Sequence, residues 1–251
     1  MKRALDDRWG TALCLRHLGL AAYDQGAYAE ARRLLGESLA LSRAMGSPWS
    51  IAYSLNVLGT AACAQGAYAE AQQLLHEALA LSQALADRYN TASAKSGLGM
   101  VHQALGKEPE ARCCFEESLA IWREIGEQGG LAQTLNRYGQ SLSAQADGQM
   151  ARRCFLEALA VARNAEITPI VLDALLGVAV VQAQESNLEA ALEMVVHVLQ
   201  HPAHTQGVHS QAERLRANLE RDLTAEQIDL IRARAQDKTH DALVRELLDA
   251  P

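Results

Sequence analysis

The 251-residue sequence is poor in aromatics, at 4%, and in proline, with five. So thin a supply of aromatic residues, beside abundant alanine, argues against an aromatic-rich β-sandwich and favours closely packed helices. Long basic runs are missing as well: 23 Lys and Arg face 30 Asp and Glu, a formal charge of −7. That balance argues against a nucleic-acid or anionic-membrane surface. No apolar stretch approaches the roughly 20 residues that span a bilayer, and the opening MKRALDDRWG has no apolar signal region. The five cysteines, Cys14, Cys63, Cys113, Cys114 and Cys154, are odd in number and lie within helical patterns. A reducing, cytoplasmic setting suits them better than a disulfide framework.

Catalytic signatures are missing too. Gly106-Lys107 could end a phosphate loop, but Val101 holds the place of its first glycine and Glu108 that of its hydroxyl. Gly97-Leu98-Gly99 lies in a helical pattern without the strand a dinucleotide site requires. His76-Glu77 begins a zinc-protease motif that Ala80 interrupts. No nucleophile elbow or paired-cysteine motif occurs. His197, His201, His204 and His209 are spaced closely enough for a metal, yet no acidic or cysteine ligand converges with them. The expectation is a non-catalytic chain without cofactor or metal, its 49% hydrophobic and 21% charged residues serving a folded core.

What the sequence does have is a repeat. Written in rows of forty from Trp9, it places Gly19, Gly59, Gly99 and Gly139 in one column, continued by Ala179. Ala31, Ala71, Ala111, Ala151 and Ala191 form a second column, and Leu39, Leu79, Leu119, Leu159 and Leu199 a third. The segment QGAYAEA at 25–31 recurs unchanged at 65–71. Each row holds two helical stretches. In row two Ile51, Leu55, Leu58 and Ala62 mark the first, Gln65-Gly66 breaks it, and Tyr68 to Leu85 forms the second. Pro109 opens a helix, while Pro48 and Pro169 stand at row junctions with Ser47 and Thr168 as expected caps. Glycine within a helix costs about 1 kcal/mol relative to alanine. Its column therefore predicts close helix approach, with Leu35, Leu75, Phe115 and Phe155 filling the space between the pair. The predicted layout is a lead-in over 1–8, helix pairs over 9–48, 49–88, 89–128, 129–168 and 169–208, and a C-terminal capping helix with a short helical tail over 209–251.

These residues resemble the tetratricopeptide repeat. Its first-helix pattern is matched by Leu15, Leu18, Gly19 and Ala22, by Leu55, Leu58, Gly59 and Ala62, and by Leu135, Tyr138, Gly139 and Leu142. The second-helix pattern is matched by Ala31, Leu35 and Ser38, by Ala71, Leu75 and Ala78, and by Ala151, Phe155 and Ala158. Row three departs at Lys95 and His102, row five at Ala179 and Val195, and the period exceeds the family's usual 34 or so. The resemblance implies an all-α fold, a right-handed superhelical solenoid of antiparallel helix pairs with C-terminal capping helices. A second resemblance links Asp7–Gly46 and Tyr53–Gly59, with the tail Leu223–Leu248, to the sensor arms of bacterial STAND ATPase regulators of the MalT and AfsR type. It implies a signalling or transcription-regulating role in which the arm senses a ligand beside an N-terminal ATPase module.

In such arrays the first helix of each pair lines the concave groove, which implies a binding surface of Arg16, Leu20, Tyr23, Tyr53, Asn56, Thr60, Ser96, Met100, Gln103, Gln133, Asn136 and Gln140. Asn56 and Asn136 recur in matching Leu-Asn contexts, and a carboxamide matches a peptide unit as donor and acceptor. Two rows span about 20 Å, or about six extended residues. Each carboxamide contact contributes about 1 kcal/mol, so pockets from Tyr23, Tyr53 and Met100 are needed besides. The chaperone-type carboxylate clamp is absent, Leu20 standing where the family has asparagine and no lysine joining Arg16. The expected partner is a protein or extended peptide. The alternatives are a scaffold or self-associating adaptor that docks through an uncapped N-terminal face at Trp9 and Leu13, and a sensor of a small-molecule inducer.

Overall fold

The computed structural model describes residues 2–249. Among them the chain is all-α, thirteen helices with no strand, in two compact units, Met1–Glu127 and Gln128–Pro251. The first unit holds α1 (Lys2–Asp24), α2 (Tyr28–Ala44), α3 (Pro48–Ala64), α4 (Tyr68–Ala84), α5 (Arg88–Ala104) and α6 (Glu108–Ile125). They pair as α1 with α2, α3 with α4 and α5 with α6, and within the unit each second helix packs on the next pair's first. The second unit holds α7 (Gln128–Ala144), α8 (Gly148–Asn164), α9 (Thr168–Gln184), α10 (Leu188–Gln200), α11 (Gln206–Leu219), α12 (Ala225–Asp237) and α13 (His240–Asp249). Here α7–α10 continue the pairing, α11 and α12 cover α10, and α13 rests on α8. Residues 2–8 extend α1 and form no separate lead-in. In these described residues no helix is long and apolar enough to cross a membrane.

The short turns between the helices share one device. Gly66 takes a left-handed φ of 80°, its N–H donating to the Cys63 carbonyl while Ala67 N–H donates back to Ala62, as in a Schellman motif. The same geometry recurs where the chain has no glycine, at Ala86, Ala146, Glu166 and Ser186, with φ of 53°, 61°, 57° and 65°. Capping is more selective than the sequence suggests. Asp87, Asp147, Thr205 and Thr224 accept from first-turn N–H groups. Ser47 makes no cap bond, its hydroxyl going to Ser50, and Thr168 is already the first residue of α9. Both precede a proline, which removes one N–H from the turn that a cap would serve.

The glycine column does hold the pairs together closely. A Cβ on Gly19 would stand 2.7 Å from Leu35 Cγ, and one on Gly59 2.7 Å from Leu75 Cγ. At Gly99 and Gly139 the obstacles are the rings of Phe115, at 2.7 Å, and Phe155, at 2.8 Å. Two further glycines face the preceding pair: Gly97 leaves 2.7 Å to Leu75 and Gly177 only 2.3 Å to Phe155. Leu75 and Phe155, both buried, are thus each gripped between two glycine-bearing helices. Row five carries fully buried Ala179 and Val195 instead, larger in one column and smaller in the other.

Candidate functional site

In the first unit the first helices of successive pairs carry a run of touching rings. Trp49 and Tyr53, one turn apart on α3, stack with centroids 5.6 Å apart. Tyr53 lies nearly parallel to Tyr89 of α5 at 6.4 Å, and Tyr89 meets the edge of Trp122 of α6 at 5.0 Å. Trp49 is 48% exposed and Tyr89 39%, so the run opens to the surface, with the buried Trp122 behind it. Arg16 of α1 reaches over it, its guanidinium carbon 4.3 Å from the Tyr53 centroid and 5.7 Å from that of Trp49. A guanidinium over rings gains cation–π attraction without needing a carboxylate. Among the described residues Arg16 has no acidic partner, whereas Arg32, Arg33, Arg43, Arg88 and Lys95 each pair with a glutamate. Burial pushes the Tyr89 hydroxyl up to about 12, helped by Tyr53 and Glu127 and opposed by Arg16. The ring therefore stays neutral at physiological pH.

Of the residues expected to line a groove, Arg16 and Tyr53 are brought together here. The carboxamides are not available to a ligand. Asn56 is buried, its Nδ2 donating to the Asn90 carbonyl and to Asn90 Oδ1, both at 3.1 Å. Asn90 is itself held by Asp87, to which its Nδ2 donates at 2.7 Å. Asn136, in the second unit, is buried too, and its Nδ2 donates to the Ile170 carbonyl and to Asp173, both at 3.2 Å. The cause lies in the packing of α5 on α3 and of α9 on α7, which closes over this column and turns a peptide-like group into a tie between helices. Ser96 is likewise buried, and Tyr23 and Met100 pack on core clusters instead of framing pockets. Thr60 donates to the Asn56 carbonyl on its own helix. Leu20 and Gln103 are half-buried and Gln133 is exposed.

Gln140 joins a second, chemically different site. Its Nε2 donates to Asp173 at 3.3 Å, beside the bond from Asn136. Burial pushes the Asp173 carboxyl up to about 6 against the attraction of Arg137 and the Asn136 hydrogen bond. Elsewhere in this unit a cavity of about 420 Å³ is lined by Arg163, Glu166, His201, His240 and Val244, among others. His201 and His240 pack ring to ring at 5.2 Å, as do His204 and His209 at 4.7 Å. Among the described residues no group of three or more His, Cys, Asp or Glu could hold a metal ion.

Trp49 and Tyr89 were not among the expected site residues, although a signal for them exists. Read down the forty-residue rows, Trp9, Trp49 and Tyr89 share one column, which loses its ring at Gly129. Trp9, expected as a docking residue, is 57% exposed on α1, and Leu13 is half-buried. Leu18 is equally open at 57%, while its row equivalents Leu58, Leu98, Tyr138 and Val178 are all buried.

Stacked helix pairs joined by left-handed turns, with aromatic rings on the first helices, define a helical repeat protein. Family models described as Tetratricopeptide repeat match residues 11–45 and 50–124 of it. It is similar in structure to BtubC (BKLC) from P. vanneervenii, with a TM-score of 0.55 at 16% identity over 87% of this chain and 92% of that one. A Podosopora anserina putative kinesin light chain with nearly identical TPR-like repeats is similar at TM-score 0.50 and 19% identity, over 83% of this chain and 96% of that one. A singly substituted form of that same protein gives 0.51 and 18%, over 83% and 95%. Such identities speak for the fold, an all-helical tetratricopeptide solenoid, and for nothing finer. No curated protein matches the sequence.

Proposed function

We propose that this protein is a non-catalytic interaction module that binds a protein or peptide segment on the ring-bearing first helices of its N-terminal unit. The observation that carries this reading is the stacked run of Trp49, Tyr53 and Tyr89 under Arg16, exposed at Trp49 and Tyr89 and half-buried at Tyr53. Interface energy concentrates in aromatic and arginine side chains, and rigid rings lose little entropy on contact. Selection of a displayed random-peptide library on the full-length chain tests it. Enriched peptides should bind the wild type and lose at least about tenfold in affinity on the Trp49→Ala, Tyr89→Ala double variant. A pool that binds both proteins equally would place recognition elsewhere. The finer reading, a cytoplasmic ligand-sensing arm of a STAND-type ATPase answering to a peptide or a small-molecule inducer, is supported by sequence resemblance alone.

A second reading is favoured by the outer face of α1. Cys14 and Leu18 are exposed there, whereas Ser54, Ala94, Leu58 and Leu98 in the same columns are buried. A face built like one that packs on helices elsewhere in the chain supports docking or self-association. If the face self-associates, sedimentation should show an assembly that Leu18→Glu dissolves; a wild-type monomer at every concentration would dismiss self-association and leave docking on a different partner.

A further inference from the structure

We infer that the face formed by Trp49, Tyr53, Tyr89 and Arg16 recognises a proline-rich segment in the polyproline II conformation that carries an acidic residue. This rests on the reading of that face as a peptide site and adds the chemistry of its ligand. The first ground is what the face has lost. Asn56, the carboxamide able to clamp a peptide unit, is committed to Asn90, so what remains toward the surface is the exposed rings of Trp49 and Tyr89, the half-buried Tyr53 and the half-buried Arg16. An extended β-like ligand would find few partners for its backbone N–H groups there. A polyproline II segment requires none, since proline has no N–H and the carbonyls of this helix stay in water.

The second ground is spacing. Polyproline II returns the same face every three residues, about 9.3 Å along its axis, and packed helices stand about 8–10 Å apart. Trp49 on α3 and Tyr89 on α5 occupy the same place in successive rows, with Tyr53 bridging them at 5.6 and 6.4 Å. One turn of ligand thus advances by one row and keeps a pyrrolidine ring over each aromatic in step. A β-strand repeats its face at about 6.6 Å and falls out of register after a single row. Proline-rich segments are also ordered before binding, which suits a face of rigid rings.

The third ground is charge. Arg16 is held over Tyr53 and Trp49 with no carboxylate partner among the described residues. Its planar fork suits a carboxylate, and a ligand acid would complete a pair that the fold leaves open.

The chain's three tryptophans, Trp9, Trp49 and Trp122, all lie in the unit concerned, and Trp49 and Trp122 belong to the ring run itself. Tryptophan emission of the full chain can therefore be titrated with blocked peptides of one glutamate and about nine prolines, about 31 Å long, with the acid at either end. One of these peptides should shift the emission saturably. Trp49→Ala should weaken it by about tenfold. Arg16→Gln should weaken it about three- to fivefold, and not weaken the glutamine-for-glutamate peptide further. An alanine-based acidic peptide of equal length is the control. If it binds as well as the proline peptide and Trp49→Ala abolishes both, the face is a peptide site but the proline inference is wrong. If neither peptide shifts the emission at millimolar concentration, the proline inference is overturned, and the library selection decides separately whether the face binds peptides at all. Loss of binding in Arg16→Gln that is equal for glutamate and glutamine peptides would overturn the acidic residue alone.

Discussion

Replacing Gly177 by alanine should destabilise the protein even though alanine is the better helix former. Gly177 lies within α9, where alanine would gain about 1 kcal/mol in intrinsic propensity. Its Cβ would stand 2.3 Å from Phe155 Cε1, 2.4 Å from Cδ1 and 2.6 Å from Cζ. Carbon contacts are comfortable from about 3.5 Å, so the overlap with Cε1 is about 1.2 Å. A long flexible side chain would swing away, but this obstacle is a buried ring. On its other side Gly139 of α7 already leaves only 2.8 Å of Cβ room to the same Cε1. Either α9 must move off α8 or Phe155 must leave its rotamer, and overpacking of this kind costs about 1–3 kcal/mol, sometimes more. After the propensity gain the expected net loss is about 2 kcal/mol for Gly177→Ala and about 1 kcal/mol for Gly139→Ala. Gly36, within α2 with nothing within 4 Å of its virtual Cβ, supplies the opposite control: Gly36→Ala should gain about 0.5–1 kcal/mol. Urea unfolding followed by circular dichroism gives the stabilities, and hydrogen exchange of the α9 amides localises the loss. The decisive variant is Gly177→Ala with Phe155→Leu, in which a shorter, flexible side chain should recover about 1 kcal/mol relative to additivity. A stable Gly177→Ala protein, or a loss that Phe155→Leu leaves untouched, would refute the reasoning.

Three further outcomes follow from other parts of the structure. Ala86→Gly, Ala146→Gly, Glu166→Gly and Ser186→Gly should each stabilise by about 0.5–1 kcal/mol in urea melts, because each of these residues holds a left-handed φ that favours glycine. Asn56→Ala should lower stability by about 1–3 kcal/mol and leave peptide affinity unchanged in the folded protein, since the carboxamide ties α3 to α5. Asp173 binds its proton more tightly folded, at about 6, than unfolded, near 3.8, so its contribution is fully present below about pH 4 and is lost as pH rises through 6. Against Asp173→Asn the stability difference should therefore move by about 1–2 kcal/mol in the variant's favour between about pH 4.5 and 7.5, a flat difference contradicting the assignment.

Features that depend on one row were legible in the sequence, and those that depend on how rows meet were not. The pairing of Gly19 with Leu35 and of Gly139 with Phe155 follows from the period and from the cost of glycine in a helix, and the close contacts match it. The turn at Gln65-Gly66 follows from the same local chemistry. Asn56 and Asn136 misled because helical periodicity gives the direction of a side chain but not whether the next pair covers it. Covering depends on the approach of α5 to α3 and of α9 to α7, which the glycines Gly97 and Gly177 help to bring close. Those two glycines lie two residues before the more regular column and were hidden beside it. Trp49 and Tyr89 share a single column that is legible in the sequence, one turn before the column of Tyr53 and two before that of the carboxamides.

Rows one, two and four use one register position to join a first helix to the next, and where that joint is an amide it moves recognition elsewhere. Arg16 reaches from α1 onto Tyr53 of α3, Asn56 from α3 onto Asn90 of α5, and Asn136 from α7 onto Ile170 and Asp173 of α9. The residue type changes from cation to amide, yet the task of joining one first helix to the next does not. Where an asparagine holds that task the position has little freedom to follow a ligand, because a substitution that improved binding would cost a buried hydrogen bond, whereas the guanidinium of Arg16 over its rings is under no such constraint. Residues two turns earlier, such as Trp49 and Tyr89, face solvent and bear no such cost, so their chemistry can vary from row to row. They do vary: indole, phenol and then the bare backbone of Gly129, while Tyr53 gives way to Asp173 in the second unit. The two units therefore present unlike surfaces from one repeat, aromatic with an open guanidinium in the first and an acid held by amides in the second, and a ligand chosen by the first has no reason to prefer the second.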